Sequence, residues 1–139
     1  MALAHGLGVA SSVEWTAPTD RIEALYREAA VFVLSSRYEG MPLTLLEAQA
    51  LGVPAVAFDC PTGPREIVTA ETGIVVPAED IATLARAIVR LLRDPALRAR
   101  MAAAAIERSR SVFSRERQVA AWAALIEEVA ATLRARAAT

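Results

Sequence analysis

Val31-Phe32-Val33-Leu34-Ser35-Ser36-Arg37-Tyr38-Glu39-Gly40-Met41-Pro42-Leu43-Thr44-Leu45-Leu46-Glu47-Ala48 runs from an apolar, β-branched stretch through turn residues into a helix-forming stretch. Val31 to Ser36 reads as a buried strand, and Leu43 to Leu51 as a helix that stops at Gly52. Pro42 suits the first helical position, where its missing N–H has no partner to lose. The free amides of Leu43 and Thr44 then point out of the helix start, and an anion fits there. In open α/β sheets, ligands bind at such a strand-to-helix junction.

Working outward, three more short runs bounded by turn residues read as strands: Val13 to Thr16, Pro54 to Asp59 and Gly73 to Pro77. Helical patterns separate them. Asp20 to Glu28 follows the cap candidate Thr19, and Ile81 to Leu92 follows Asp80 and stops before Asp94-Pro95. This alternation predicts an α/β fold: a partial doubly wound, Rossmann-like parallel sheet, with right-handed crossovers and helices on both faces.

No strand is expected after Pro77. Ala96 to Arg108 and about Glu116 to Arg136 continue an all-helical C-terminal tail. In its last stretch Val119, Trp122, Ala123, Ile126, Val129, Ala130 and Leu133 recur at three- and four-residue steps, giving one apolar stripe that must bury against something. Four strands are few for an open doubly wound sheet, and Ala2 to Leu7 looks like the end of a helix. The expectation is a piece of a larger fold, divided into a sheet-bearing domain over 1–112 and a C-terminal helix over 113–139.

Composition excludes several function classes. The 139 residues carry a formal net charge of −1, so no broad basic field is available to hold a nucleic acid. All 15 basic residues are arginine, which rules out within this chain a phosphate-loop lysine or a lysine Schiff base. Hydrophobic residues make up 55% and aromatics 5%, which predicts an aliphatic, helix-rich core. Cys60 is the only cysteine, and a buried, inert thiol is its expected state. A single cysteine allows no internal disulfide and points to no oxidising compartment, so the cytoplasm is the simplest expected location; with no basic leader segment or bilayer-length apolar run, neither secretion nor membrane spanning is expected. His5 has no Cys or His neighbour and no Asp-x-Asp pair occurs, so no metal site is expected. Gly6-Leu7-Gly8 lacks a preceding strand and reads as a helix stop followed by a loop.

Glu47 lies one turn inside a helix otherwise made of Leu45, Leu46, Ala48, Ala50 and Leu51. A carboxylate buried there needs donors. Paired ribose hydroxyls satisfy both its oxygens, as in dinucleotide sites; a structural arginine does so without function. The turn Asp59-Cys60-Pro61-Thr62-Gly63-Pro64-Arg65-Glu66 follows the next strand onto the same rim, where Thr62 and Gly63 can approach a ligand or simply build the turn. The arginines from Arg98 to Arg117 are expected on a solvated helical face that also suits an anionic membrane surface.

The phrase EGMPLTLLEA, with Glu39 and Glu47 separated by seven residues, closely resembles the signature of the retaining GT-B glycosyltransferases of family four. The likeness extends from about Val13 to Val129, through VFVLSSRYEG, ALGVPAVAFD, TGPREIV and TGIVVPAED. It implies the C-terminal, donor-binding half of a GT-B fold. At matching positions it implies that Glu39 lies against the transferred sugar and that Glu47 holds the ribose hydroxyls. Gly40, Met41, Leu43 and Thr44 would offer backbone amides to the diphosphate and sugar, while Pro42, where many relatives have glycine, lines the same loop without a donor.

The resemblance implies metal-independent transfer of a hexose with retention, from a nucleoside diphosphate sugar, UDP-linked by preference, to a saccharide or lipid-linked acceptor. That acceptor belongs to an N-terminal half outside this chain, as does the arginine-lysine pair that relatives direct at the diphosphate. The isolated chain is therefore expected to lack turnover and to self-associate through uncovered helices, and peripheral contact with the inner membrane face is compatible with it. The rival readings are a non-catalytic α/β interaction module and a GT-B relative of another kind, a sugar-nucleotide epimerase or a phosphorylase.

Overall fold

The computed structural model describes residues 1–137. Eleven elements follow in order: helix α1 (Ala2–Gly6), a 3-10 turn (Ala10–Ser12), α2 (Ile22–Glu28), strand β1 (Phe32–Leu34), α3 (Leu43–Ala50), β2 (Ala55–Asp59), α4 (Pro64–Ile67), β3 (Gly73–Pro77), α5 (Ile81–Arg93), α6 (Pro95–Val112) and α7 (Arg115–Ala137). The strands form one parallel sheet in the order β1-β2-β3, with Phe32 opposite Ala55 and Ala55 opposite Gly73. The central strand β2 is buried along Ala55–Phe58, as expected of a parallel strand covered on both sides.

Alternation along the strands sorts the core into two layers. Val56 and Phe58 of β2 and Val76 of β3 pack under Leu84, Ala87 and Leu91 of α5 and Met101 of α6. On the opposite face Ala55 meets Leu45 of α3, Ile67 of α4 and Val68. Helices thus cover both faces, and the fold is that of a partial doubly wound sheet.

Each helix end has a local cause. Gly52 takes φ +78, and the amides of Gly52 and Val53 donate to the carbonyls of Gln49 and Ala48 at 3.0 and 2.9 Å, closing α3. Asp80 caps α5 by accepting from the Thr83 amide at 2.9 Å, and Asp94 caps α6 by accepting from Leu97 at 2.8 Å. Inside the core, Gln49 donates to the carbonyl and hydroxyl of Thr72 at 3.3 and 3.1 Å, tying α3 to the start of β3.

Three expectations are corrected. Val13 to Thr16 is an exposed segment and no strand: it has only two large apolar residues, and among the described residues no strand pairs with it. Pro64–Ile67 is helical where a plain turn was expected, since Pro64 at its first position presets the backbone. Arg98 and Arg108 are not solvated face residues. Arg98 donates to the carbonyls of Leu91 and Leu92 at 2.6 and 2.7 Å, and Arg108 to those of Glu66 and Ile67 at 2.7 and 3.0 Å, so each closes the C-terminal end of a neighbouring helix. Among the described residues the α7 stripe is largely uncovered: Trp122 and Ile126 are 64% and 63% exposed. Among the described residues no helix is long and apolar enough to cross a membrane.

The Asp80 cap gives a pH test. Hydrogen bonds from Thr83 hold the Asp80 carboxyl below its ordinary range, so its stabilising effect is complete above the unfolded value of about 3.9 and is lost as pH falls through the lower folded value. Asp80→Ala is expected to melt below the parent at pH 7, with the gap narrowing below about pH 4; thermal melts followed by circular dichroism at both pH values check this.

Candidate functional site

All three strands point their C-terminal ends to one edge, and the loops that leave that edge are fastened together. The Thr62 hydroxyl donates to the carbonyl of Glu39, joining the loop after β2 to the loop after β1. Gly63 has φ +86 and ψ −69, a conformation that L side chains rarely adopt, and a Cβ placed there would lie 2.5 Å from Cδ of Pro42. Only glycine lets the two loops touch. An exposed ion pair, Arg37 to Glu79 at 3.6 Å, joins the loop after β1 to the loop after β3, though pairs so open to water contribute little.

The loop after β1 feeds α3. Pro42 is its N-cap and not its first helical residue, a shift of one position from expectation: its ψ of 88 is extended, and its carbonyl accepts from the amides of Leu45 and Leu46 at 3.0 and 3.3 Å. The amides of Leu43 and Thr44 find no acceptor among the described residues, and both residues are exposed. Two N–H groups at the positive end of a helix dipole face solvent beside the rim.

Glu39, half-buried, stands before this helix start, and Glu47 follows one turn into the helix. Glu47 departs from expectation. Its side chain is exposed, not buried among the aliphatic residues, which turn inward as Leu45 and Ala48 do. Its partner is neither water alone nor an arginine: the Tyr26 hydroxyl donates to Oε2 at 3.2 Å. Burial, and then the charge and hydrogen bond of Glu47, raise the Tyr26 phenol above its ordinary pKa. Ile22, Glu23, Tyr26, Glu47, Ala50 and Leu51 line a cavity of about 280 Å³ at this place.

A second cleft, about 540 Å³, lies on the rim between Asp59 and Glu66 and includes Thr62 and Gly63. Across it Arg65 grips Asp59 in a bidentate pair at 2.5 and 2.6 Å, which holds the Asp59 carboxyl below its ordinary range. Cys60 is buried, as expected. Among the described residues no cluster of His, Cys, Asp or Glu has the grouping of a metal site. The rim thus brings together Glu39, Gly40, Met41, Pro42, Leu43, Thr44, Thr62 and Gly63, and sets Glu47 one turn away. Neither Tyr26 nor the Asp59–Arg65 pair is legible in the sequence: the Arg65 spacing six residues after Asp59 carries no periodic signal, and Tyr26 reads only as a core aromatic.

This chain matches the description "Glycosyl transferases group 1" over residues 1–108. The chain belongs to that family. Similar members by sequence include an exopolysaccharide phosphotransferase of Streptomyces coelicolor, 46% identical over 68% of this chain and 10% of that one. An amylovoran biosynthesis glycosyltransferase of Erwinia amylovora is 38% identical over 70% of this chain and 28% of the relative. A lipopolysaccharide core mannosyltransferase of Rhizobium leguminosarum is 36% identical over 85% and 34%. This chain therefore spans between a tenth and about a third of the length of these relatives.

Solved structures agree on the GT-B C-terminal architecture. TarM of Staphylococcus aureus, crystallised with UDP among other ligands, superposes at a TM-score of 0.84 with 25% identity, over 89% of this chain and 25% of that one. Sucrose-phosphate synthase of Thermosynechococcus elongatus gives 0.83 with 29% identity, over 94% and 33%. The family-four membership and the fold class expected from EGMPLTLLEA are both shown.

Gly63 supplies a test of the rim. Gly63→Ala is expected to cost about 1–3 kcal/mol from backbone strain, more if Pro42 cannot shift, and chemical denaturation of variant and parent measures it.

Proposed function

We propose that this chain is the donor-binding part of a retaining glycosyltransferase that moves a hexose from a nucleoside diphosphate sugar to a saccharide or lipid-linked acceptor. The observation that supports it is the order of groups along α3: two unpaired amides at Leu43 and Thr44, then an exposed carboxylate at Glu47 on the same helix. Four residues of helix advance about 6 Å. A diphosphate suits the amides and the positive helix end. A neutral, hydroxyl-rich ribose suits the carboxylate.

In transfer, the bond from sugar C1 to the leaving phosphate oxygen breaks and negative charge grows on the diphosphate. The start of α3 is oriented to stabilise that charge before it develops. Glu39 precedes the helix start in the chain, and in this reading positions the sugar. The acceptor hydroxyl attacks from the face the phosphate leaves, and the departing phosphate takes its proton, which retains configuration. The Gly40–Thr44 loop, with Thr62 and Gly63 beside it, lines the diphosphate and sugar. UDP is the favoured nucleotide, as bound in the TarM structure. The acceptor is held by a preceding half, against which α7 docks, so that 1–112 binds donor and 113–139 returns to the partner half. A cytoplasmic site facing the inner membrane surface suits a lipid-linked acceptor.

A second reading, a non-catalytic module, draws on the Streptomyces coelicolor relative, named a phosphotransferase, in which the matched segment is 10% of the length. Titrating UDP-, GDP- and ADP-sugars against the chain, with Glu47→Ala alongside, separates the two. The donor reading predicts weak binding of one nucleotide class, no turnover by the chain alone, and at least about a tenfold loss on removing a carboxylate that accepts charged hydrogen bonds. Binding untouched by Glu47→Ala contradicts the site.

A further inference from the structure

Among the described residues the Glu47 side chain has one hydrogen-bond partner, and it comes from a different helix. Tyr26 of α2 is 6% exposed and packs with Ala48 and Val53. Its ring meets Phe32 of β1 edge-on, with centroids 5.9 Å apart and planes at 64°. The phenol is therefore fixed by the core at its base and reaches out only at its hydroxyl. Glu47 is the opposite: an exposed glutamate on a helix surface, with much rotamer freedom to lose on binding. Joining a fixed donor to a mobile acceptor selects one orientation of the acceptor.

The cavity beside them has a defined chemistry. Its lining holds the carboxylates of Glu23 and Glu47 and no cationic side chain, with Ile22, Ala50 and Leu51 as apolar walls. An anion is repelled there, and a neutral group that donates hydrogen bonds is favoured. An ionised carboxylate offers about four lone-pair sites, and Tyr26 occupies one of them on Oε2. Oε1 and the remaining site on Oε2 stay open, side by side, at the spacing that two adjacent hydroxyls match.

We propose that Tyr26 is a positioning residue for donor binding: its hydroxyl holds the Glu47 carboxylate toward the cavity, so that both oxygens meet the vicinal hydroxyls of a ribonucleoside. This rests on the donor reading above and adds to it a residue that touches no substrate. A purely structural Tyr26, which only staples α2 to α3, makes a different prediction. It affects stability, and affects every nucleotide equally.

The test uses UDP and 2′,3′-dideoxy-UDP as calorimetric probes against the parent chain, Tyr26→Phe, Glu47→Gln and the double variant. Tyr26→Phe keeps the ring and its packing and removes only the donor. The expected result is a loss of UDP affinity of about three- to tenfold, with dideoxy-UDP unchanged within about twofold and no further loss when Tyr26→Phe is added to Glu47→Gln. Equal losses for both probes, or none for UDP, overturn the positioning role while leaving the donor reading in place. A parent that binds neither probe, or does not distinguish them, removes the donor reading and this inference with it.

A ligand-free measurement accompanies it. In a Tyr38→Phe background Tyr26 is the only phenol, and its ionisation is read by absorbance. Glu47→Gln is expected to move that ionisation down toward the ordinary tyrosine range, since Glu47 contributes to raising it. An unmoved titration means that the two side chains do not meet in solution, which also overturns the inference.

Discussion

Contact between Gly63 and Pro42 is the constraint on which the rest of the site depends. A parallel sheet delivers its strand ends to one edge, yet the loops beyond them are free to splay unless something holds them. Here the turn after β2 comes so close that Pro42 leaves no room for a Cβ, and Thr62 adds a hydrogen bond to the Glu39 carbonyl. Pro42 in turn is the N-cap of α3. The position of two unpaired amides, and of Glu47 one turn later, follows from that packing. The buried bond from Gln49 to Thr72 anchors the far end of the same helix to β3.

Much of this was legible in the residues because the signals were local. Strands β1, β2 and β3 announced themselves as β-branched runs between turn residues, and α3 and α5 ended where Gly52 and Asp94 said they should. The segment Val13 to Thr16 had the right local pattern and still formed no strand, because a strand also needs a partner edge, which a local pattern does not reveal. Arg98 and Arg108 looked like surface charge for the same reason: their acceptors, the carbonyls at the ends of α5 and α4, are set by tertiary packing and not by helical spacing.

The site was legible in its composition and less so in its mechanics. Glu39, Glu47 and the intervening loop stand out as a phrase. That Glu47 faces water and leans on Tyr26 does not, since the two residues are 21 positions apart and belong to different helices. The aliphatic neighbours of Glu47 along the chain predict a carboxylate needing rescue from an apolar setting. The structure instead shows an exposed carboxylate held by one phenol, with most of its acceptor capacity unspent. The apolar stripe of α7 is a parallel case: Val119, Trp122 and Leu133 follow helical periodicity well, but periodicity shows that a face is apolar without showing what covers it.

Amide-resolved NMR of the chain during UDP addition tests the central claim most directly, because it reports where the ligand sits without requiring turnover. The account predicts the largest shifts at the Leu43 and Thr44 amides, with Gly40 and Gly63 beside them and Glu47 one turn on. Shifts centred on α5 and α6, or a spectrum in which the α3 start stays still while nucleotide binds, would contradict it.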